Sequence, residues 1–256
     1  MIQNELINII KNCPYLIPGL LYHDLIVLKE NNGFDDKNIF LFLFSLTLYK
    51  KDNLNQSSYL NICKCIQDPK IFKKLETDGK KIISDFDYDW IQVNPKEKPN
   101  AGNDNNLFKI YLSIDNMDLH LFATKLLISC SELKYNDLYF KINNDSEINR
   151  RDNVVIYCNA KNFSKYIHLI QKILVENPHI QFNSPNLLAI PYDDKIYCGM
   201  DFDDGKTSFT SKICRDIIES KKAKKSIEEI IQQIYETRKE VYIKIYDLID
   251  PKIKNR

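Results

Sequence analysis

The fold of this chain is decided by three short stretches, FKIYLSI (108–114), LYFKIN (138–143) and NVVIYCN (153–159). All three are rich in β-branched and aromatic residues, which favour β-strands. Between and after them, 118–133 and 162–176 carry apolar residues at the three- and four-residue spacing of helices. The order strand, helix, strand, strand, helix predicts an α+β fold with a mixed β-sheet and flanking helices.

The region before these strands has a different pattern. Apolar residues at helical spacing occur in 5–13, 36–51 and 57–66. The segment DFDYDWIQV (85–93) alternates like a short strand, and 95–106 then breaks all periodicity with Pro, Gly and Asn. We therefore predict a helical N-terminal lobe, 1–94, packed on an α+β lobe, 107–256.

The α+β lobe is expected to end in an amphipathic helix. Its inward residues are expected to be Ile227, Ile230, Ile231, Ile234, Val241 and Ile245. Ser226 and Glu229 have the spacing of a capping box, which predicts that the helix begins there.

Composition excludes several classes of protein. Thirty-six Lys and Arg against thirty-five Asp and Glu give a net charge of +1, so no overall field favours nucleic acid. The longest apolar run, 39–49, is shorter than the roughly 20 residues that span a bilayer. Seven cysteines, an odd number without framework spacing, fit a reducing compartment. We expect a cytoplasmic protein, and the sequence leaves delivery into a host cell open.

Common cofactor and metal motifs are missing. The six glycines form neither a P-loop nor a dinucleotide fingerprint, and no kinase motif or G-x-S-x-G elbow is present. The four histidines are scattered, and Cys63-x-Cys65 has no second pair at zinc-ligand spacing. We therefore predict no cofactor and no metal.

The polar faces of the predicted strands carry the candidate site. Lys109 and Tyr111 share one face of their strand, Lys141 shares a face with Tyr139, and Arg151 precedes the third strand. Together they would offer three cations to one pocket. The alternative is that these residues are ordinary solvent-facing positions of half-buried strands.

Four motifs carry a resemblance to a known family: K-I-Y-L-S (109–113), Y-F-K-I (139–142), R-R-D-N-V-V-I-Y (150–157) and S-F-T-S-K-I-C-R (208–215). Their order resembles the HopA-like family, which includes type III effectors and the stand-alone lyases of some lanthipeptide clusters. It is distantly similar to the phosphothreonine lyases. The resemblance covers about 108–220.

The resemblance implies a metal-free β-elimination of phosphate from phosphoserine or phosphothreonine, which leaves a dehydroamino acid. It implies Lys141 as the general base, Lys109 and Arg151 as phosphate ligands, Tyr111 and Tyr157 as proton or hydrogen-bond donors, and Asp152 as the residue that holds Arg151. A lysine acts as a base near neutral pH only if burial and neighbouring positive charge lower its pKa. Tyr111 stands where the phosphothreonine lyases carry a histidine, which leaves the acid role open.

The last motif departs from the family. Thr210 and Ile213 stand where the family pattern S-F-G-x-x-R has Gly and Arg. Lys212 or Arg215 would then have to supply the missing charge. Ser208 is either a helix N-cap or a residue on the substrate side.

Three functions remain open from the sequence. The first is a lyase acting on a peptide or protein that a separate kinase has phosphorylated, with no nucleic-acid partner and no membrane span. The second is a non-catalytic phosphopeptide-binding or effector protein that uses the same cationic face. The third is a scaffold whose strands 109–157 form a merely solvated sheet.

Overall fold

A computed structural model of the chain describes residues 2–14, 16–28, 83–84, 90–93, 107–135, 137–143, 149–201 and 208–249. The helical patterns at 36–51 and 57–66, the apolar run 39–49 and the loop 95–106 lie outside the described residues.

Six helices and nine strands lie in the described ranges. The helices are α1 (Ile2–Asn12), α2 (Pro18–Ile26), α3 (Asn116–Glu132), α4 (Ala160–Glu176), α5 (Phe209–Lys222) and α6 (Ile227–Ile249). The strands are β1 (Val27–Leu28), β2 (Ile83–Ser84), β3 (Trp90–Val93), β4 (Phe108–Leu112), β5 (Tyr139–Asn143), β6 (Asn149–Arg150), β7 (Val154–Cys158), β8 (Ile190–Pro191) and β9 (Tyr197–Met200). No helix within these ranges is long and apolar enough to cross a bilayer.

Seven strands form one sheet in the order β2-β3-β5-β7-β4-β9-β8, and β1 pairs with β6 in a separate small sheet. The predicted α+β class is confirmed. The expected mixture of strand directions is not found among the described strands, where every pair is antiparallel. The crossover through α3 does make β4 and β5 parallel, but β7 inserts between them, so the two strands are not neighbours.

The two faces of the sheet differ in character, as the alternation of β4 predicts. Phe108, Ile110 and Leu112 are buried in the main apolar core, where α4 packs against β4 and β7. Lys109 and Tyr111 point to the opposite face. They are 7% and 4% exposed, so this polar face is covered rather than solvated.

The N-terminal elements join the rest of the chain in two ways. Helix α2 packs on α5, and α1 contacts α6. Strands β2 and β3, which the sequence assigns to the helical lobe, extend the central sheet at the β5 edge. These contacts place α2 and β3 beside the polar face.

The C-terminal helix follows its sequence prediction. The Ser226 amide donates to Glu229 Oε2 at 2.7 Å, and the Glu229 amide donates to Ser226 Oγ at 3.2 Å. This reciprocal pair is the predicted capping box. Of the six residues expected to face inward, Ile230, Ile234, Val241 and Ile245 are buried, and Ile227 and Ile231 are partly buried.

Gly199 offers a test of the packing on the polar face. A Cβ at this position would lie 3.0 Å from Tyr111 Cε2 and 3.3 Å from the Tyr111 hydroxyl. We expect Gly199→Ala to lower the free energy of unfolding by about 1 to 3 kcal/mol, because the buried tyrosine ring must move. Urea denaturation measures this difference.

The matched control is Gly19→Ala. Gly19 lies in helix α2, and a Cβ there would meet nothing within 4 Å. This change is expected to raise stability by about 0.5 kcal/mol, because alanine loses less backbone entropy than glycine in a helix. Equal effects of the two substitutions would contradict the packing argument.

Candidate functional site

The strand register aligns the first row of the site. Lys109 of β4 lies opposite Tyr157 of β7 and Gly199 of β9, and Tyr157 lies opposite Tyr139 of β5. The Tyr139 and Tyr157 rings stack with their centroids 4.4 Å apart. Lys109 Nζ lies 5.2 Å from the Tyr157 ring centroid.

A second row lies one pleat further along the strands. Tyr111 lies opposite Val155, and Val155 lies opposite Lys141 of β5. Tyr111, Val155 and Tyr197 form a small apolar cluster on this face, separate from the main core. The structure therefore brings Lys109, Tyr111 and Lys141 onto one face with Tyr157, as the sequence predicts.

Lys141 is held over an aromatic ring. Its Nζ lies 3.9 Å from the centroid of Trp90 on β3, and the guanidinium carbon of Arg150 lies 4.6 Å from the same centroid. Two cations thus share one indole, an arrangement that attracts each of them electrostatically. Trp90 itself is half-buried.

Burial lowers the pKa of Lys141 from its ordinary 10.5 to about 8. The positive charges of Lys109 and Arg150 act in the same direction, whereas the carboxylates of Asp152 and Asp201 partly oppose them. At pH 7 roughly a tenth of the amine is therefore neutral, far more than for an ordinary lysine, and the neutral amine is the form that can act as a general base.

Lys109 is paired in the ligand-free protein. Its Nζ lies 2.5 Å from Oδ1 of Asp201, a residue that follows β9. The Lys109 side chain is 9% exposed and the Asp201 side chain is 18% exposed. Any anion that uses Lys109 must compete with this carboxylate.

The arginine that lies beside Trp90 and Asp152 is Arg150, whereas the predicted phosphate ligand Arg151 contacts α1. Asp152 Oδ1 accepts from Arg150 Nε at 3.0 Å, so Asp152 holds Arg150 instead of the predicted Arg151. The Arg151 guanidinium forms an ion pair with Glu5 of α1, and its amide donates to the Ile26 carbonyl at 2.9 Å. Arg150 ends β6 and faces Trp90, whereas Arg151 lies in the turn that follows and faces α1.

Three tyrosines in and around the site keep their protons. Burial raises the pKa of Tyr111 well above its ordinary value, and the carboxylate of Asp201 adds to the effect. Burial likewise raises the pKa of Tyr157 and of Tyr22 on α2, and the hydrogen bond that the Tyr22 oxygen accepts from Arg150 offsets part of the rise for Tyr22. These phenols are therefore hydrogen-bond donors at neutral pH and not phenolates.

The start of α5 borders the site without adding the expected cation. Ser208 caps the helix, its Oγ accepting from the Ser211 amide at 3.3 Å. Phe209 is fully buried and would lie 3.5 Å from a Cβ on Gly199. Thr210 and Ile213 are also buried, so the position of the family arginine is part of the apolar core.

The two cations proposed to replace that arginine lie further along α5. Lys212 Nζ donates to Asp216 at 2.7 Å, a pair one helical turn apart, with 38% of the lysine side chain exposed. Arg215 is exposed. The role of Lys212 and Arg215 as phosphate ligands stays a prediction.

The charges of the site nearly balance without a ligand. Lys109, Lys141 and Arg150 supply three cations, and Asp152 and Asp201 supply two carboxylates. Within the described ranges no group of three or more His, Cys, Asp or Glu residues is arranged to hold a metal ion. The cluster therefore combines a net positive charge, one lysine whose pKa is lowered and several protonated phenols.

Sequence reasoning missed four members of this cluster. Arg150 precedes the expected Arg151 directly, and a strand of only two residues, such as β6, shows no periodicity that could tell which arginine faces the site. Trp90 and Gln92 share one face of their strand, but nothing in the sequence indicates that β3 is the neighbour of β5. Tyr22 and Asp201 come from distant parts of the chain and carry no local motif.

The class that fold and site define is an α+β protein with a buried cluster of cations and aromatic rings on one face of an antiparallel sheet. The same fold occurs in an effector protein from Pseudomonas syringae pv. syringae strain 61, with a TM-score of 0.61 at 9% identity over 91% of each chain. It also occurs in an effector protein from Pseudomonas syringae pv. tomato strain DC3000, with a TM-score of 0.53 at 14% identity over 84% of each chain. No family model matches the sequence, and no curated protein matches it. These likenesses concern the fold.

The depressed pKa of Lys141 predicts a stability effect. The folded-state pKa, about 8, lies below the ordinary 10.5, so the unfolded chain binds this proton more tightly and stability falls as pH drops from 10.5 towards 8. Lys141→Met removes that cost. We expect the free energy of unfolding to rise by about 1 to 3 kcal/mol at pH 7.

Chemical denaturation at pH 7 and pH 10.5 measures the effect, and the gain from Lys141→Met should shrink at the higher pH. Lys165→Met is the matched control, because Lys165 Nζ also lies over a ring, 3.7 Å from the Tyr135 centroid, and pairs with Asp137 at 3.0 Å. An equal gain from both substitutions would show that methionine packing, and not the lysine charge, is responsible.

Proposed function

We propose that the protein is a metal-independent phosphoserine/phosphothreonine lyase that acts on a phosphorylated peptide or protein. The observation that carries the proposal is Lys141, a lysine with its pKa lowered to about 8 beside two further cations. The resemblance of four sequence motifs to the HopA-like family supports the same reaction. The fold shared with two effector proteins is in keeping with it.

In the proposed reaction neutral Lys141 removes the proton from Cα of the phosphorylated residue. The electron pair of the C–H bond becomes the Cα=Cβ double bond, and the Cβ–O bond breaks as phosphate leaves. The leaving oxygen takes a proton from a neighbouring phenol, and the Lys141 ammonium returns the abstracted proton to that phenol. The products are therefore a dehydroamino acid and hydrogen phosphate, and no water and no second substrate is consumed. A base with a pKa near the working pH is well suited to this step.

Lys109 and Arg150 are the proposed phosphate ligands. A guanidinium donates two parallel hydrogen bonds to phosphate oxygens, and an ammonium acts as a point charge. Arg150 is oriented for this by Asp152 and by the Trp90 ring. Arg150 takes the phosphate-ligand role that the resemblance implied for Arg151, because the Arg151 guanidinium pairs with Glu5 of α1.

The proposed proton donors are Tyr111 and Tyr157. Both phenols are kept protonated by burial, so either can donate to the leaving phosphate as negative charge builds on it. Tyr157 lies nearest to Lys109, on the adjoining strand. Tyr111 lies deeper, against Gly199.

A second candidate function uses the same residues without turnover. The buried Ile213 leaves α5 without the family arginine, which favours a phosphopeptide-binding protein that has lost part of its catalytic site. The depressed pKa of Lys141 favours the lyase, because a binding site gains nothing from a cation that is partly discharged at neutral pH.

The lyase proposal predicts a specific mass change. Incubation of phosphoserine and phosphothreonine peptides with the protein in EDTA should remove the elements of phosphoric acid and leave a dehydroamino acid. Lys141→Ala should lower turnover by about 10²- to 10⁴-fold while phosphopeptide affinity changes little, because a general base and not a ligand is removed. Wild-type turnover should increase with pH through about 8, as Lys141 loses its proton.

Mass spectrometry of the peptides distinguishes the outcomes, with Lys165→Ala as the control that should retain turnover. Release of phosphate that leaves an ordinary hydroxyl would mean that the reaction is hydrolysis. Intact peptides that nevertheless bind would favour the binding function.

The two adjacent arginines provide a further test. We expect Arg150→Met to weaken phosphopeptide binding by about tenfold or more, because a phosphate ligand with charge-assisted hydrogen bonds is lost. Arg151→Met should change affinity by less than about threefold and act on stability, through the lost ion pair with Glu5. Calorimetric titration of both variants measures this, and the opposite order would return the phosphate-ligand role to Arg151.

A further inference from the structure

Helix α6 carries a second stripe of side chains besides its inward isoleucines. Tyr235, Lys239 and Tyr242 are spaced by four and three residues and therefore lie on one side of the helix. Tyr235 is 60% exposed and Tyr242 is 41% exposed, and Ile243 beside them is 51% exposed. Large aromatic and aliphatic side chains at such exposure are typical of recognition surfaces.

This stripe forms one wall of a cleft of about 540 Å³. The opposite wall is Ile190 and Pro191 of β8, the edge strand of the sheet, and Arg238 lines the cleft between the two walls. Aromatic rings, an aliphatic side chain and arginine in one cleft match the composition of binding hot spots.

The cleft is positively charged. Arg238 and Lys239 line it, and among the described lining residues there is no carboxylate. Arg238 is half-buried, and its Nη2 donates to the Ala189 carbonyl at 2.9 Å. Because this carbonyl is neutral, it does not balance the positive charge of Arg238. A ligand for this cleft therefore needs both apolar and acidic groups.

The cleft is connected to the candidate site through β8. Ala189, whose carbonyl Arg238 holds, belongs to the apolar cluster of Tyr111, Val155 and Tyr197 on the site face. β8 lies two strands from β4, a distance of roughly 10 Å at about 4.8 Å per strand. An extended peptide covers that distance with about three to four residues and reaches the cleft beyond the edge with a few more.

We propose that this cleft, which we call the α6 cleft, docks an acidic and apolar segment of the substrate polypeptide. The phosphorylated residue of that substrate enters the Lys141 site at the same time. The proposal rests on the proposed function for its choice of substrate. The Ile243 and tyrosine side chains would pack on an apolar residue of the segment, and Arg238 and Lys239 would pair with its carboxylates. Contacts in the α6 cleft, away from the phosphate, would let the protein distinguish one phosphorylated polypeptide from another.

The first test is binding without phosphate. A fluorescein-labelled, unphosphorylated peptide containing Glu-Phe-Asp-Leu-Glu is titrated with the protein and followed by anisotropy. Lys239→Glu and Ile243→Asp should each weaken binding at least tenfold. Both positions are exposed, so the variants are expected to fold, and circular dichroism checks that they do.

Matched controls lie on α4. Lys172→Glu and Val175→Asp make the same two changes at exposed positions outside the α6 cleft, the second at a side chain that is 79% exposed. Both should bind within twofold of wild type, as should Lys141→Ala. A peptide with Lys in place of each acidic residue should bind at least tenfold more weakly.

The second test uses turnover. A phosphopeptide that carries the acidic and apolar segment should have a lower KM than one that lacks it, with kcat unchanged. Lys239→Glu should abolish that difference. If no phosphopeptide is converted but the binding results stand, the lyase function fails and the docking cleft survives. If both peptides are converted with equal KM and the anisotropy is unaffected by the cleft variants, the docking proposal fails and the lyase survives.

Three results would overturn the docking proposal outright. One is peptide binding that Lys141→Ala abolishes and the cleft variants leave intact, which would place the peptide in the site itself. Another is equal affinity for the acidic and basic peptides. The third is a dimer, seen by sedimentation, that Ile243→Asp converts to a monomer, since the α6 cleft would then bind a second copy of the chain.

Discussion

The site depends on the two-residue alternation of β4, β5 and β7. The core face of these strands carries only apolar residues, among them Phe108 and Phe140, and the opposite face carries lysines and tyrosines together with Val155. Because the three strands are antiparallel neighbours in one register, Lys109, Lys141 and Tyr157 come together without any contribution from loops. A slip of one residue in any strand would exchange the two faces and disperse the site.

Electrostatics on this face is a balance between desolvation and pairing. Burial disfavours the charged form of Lys141, and the two neighbouring cations disfavour it further. The carboxylates of Asp152 and Asp201 act in the opposite direction and favour the charged form. The Trp90 ring adds attraction for both Lys141 and Arg150. The result is a lysine on β5 whose pKa is lowered to about 8, with three phenols in and around the site that stay protonated.

Local pattern predicted the parts of the structure that depend on neighbouring residues. The α+β class, the faces of β4, the shared face of Tyr139 and Lys141, the Ser226 capping box and the inward stripe of α6 all follow from spacing alone. The order β3-β5-β7-β4 depends on long-range pairing, which no spacing encodes, so Trp90 and the antiparallel insertion of β7 were not predicted. Arg150 was missed because β6 is only two residues long and its direction is imposed by pairing with β1.

The pairing of Lys109 with Asp201 bears on which anions the site accepts. A ligand must displace the carboxylate or share the ammonium with it, and the cations exceed the carboxylates by one. A monoanionic carboxylate offers Lys109 nothing that Asp201 does not already supply. In the proposed function, a phosphate dianion has twice the charge of a carboxylate and a third free oxygen, so that it can pair with Arg150 and Lys109 together. Under the proposed function, Asp152 and Asp201 therefore favour a phosphate dianion over a carboxylate ligand, although Ile213 occupies the position where the family pattern has arginine.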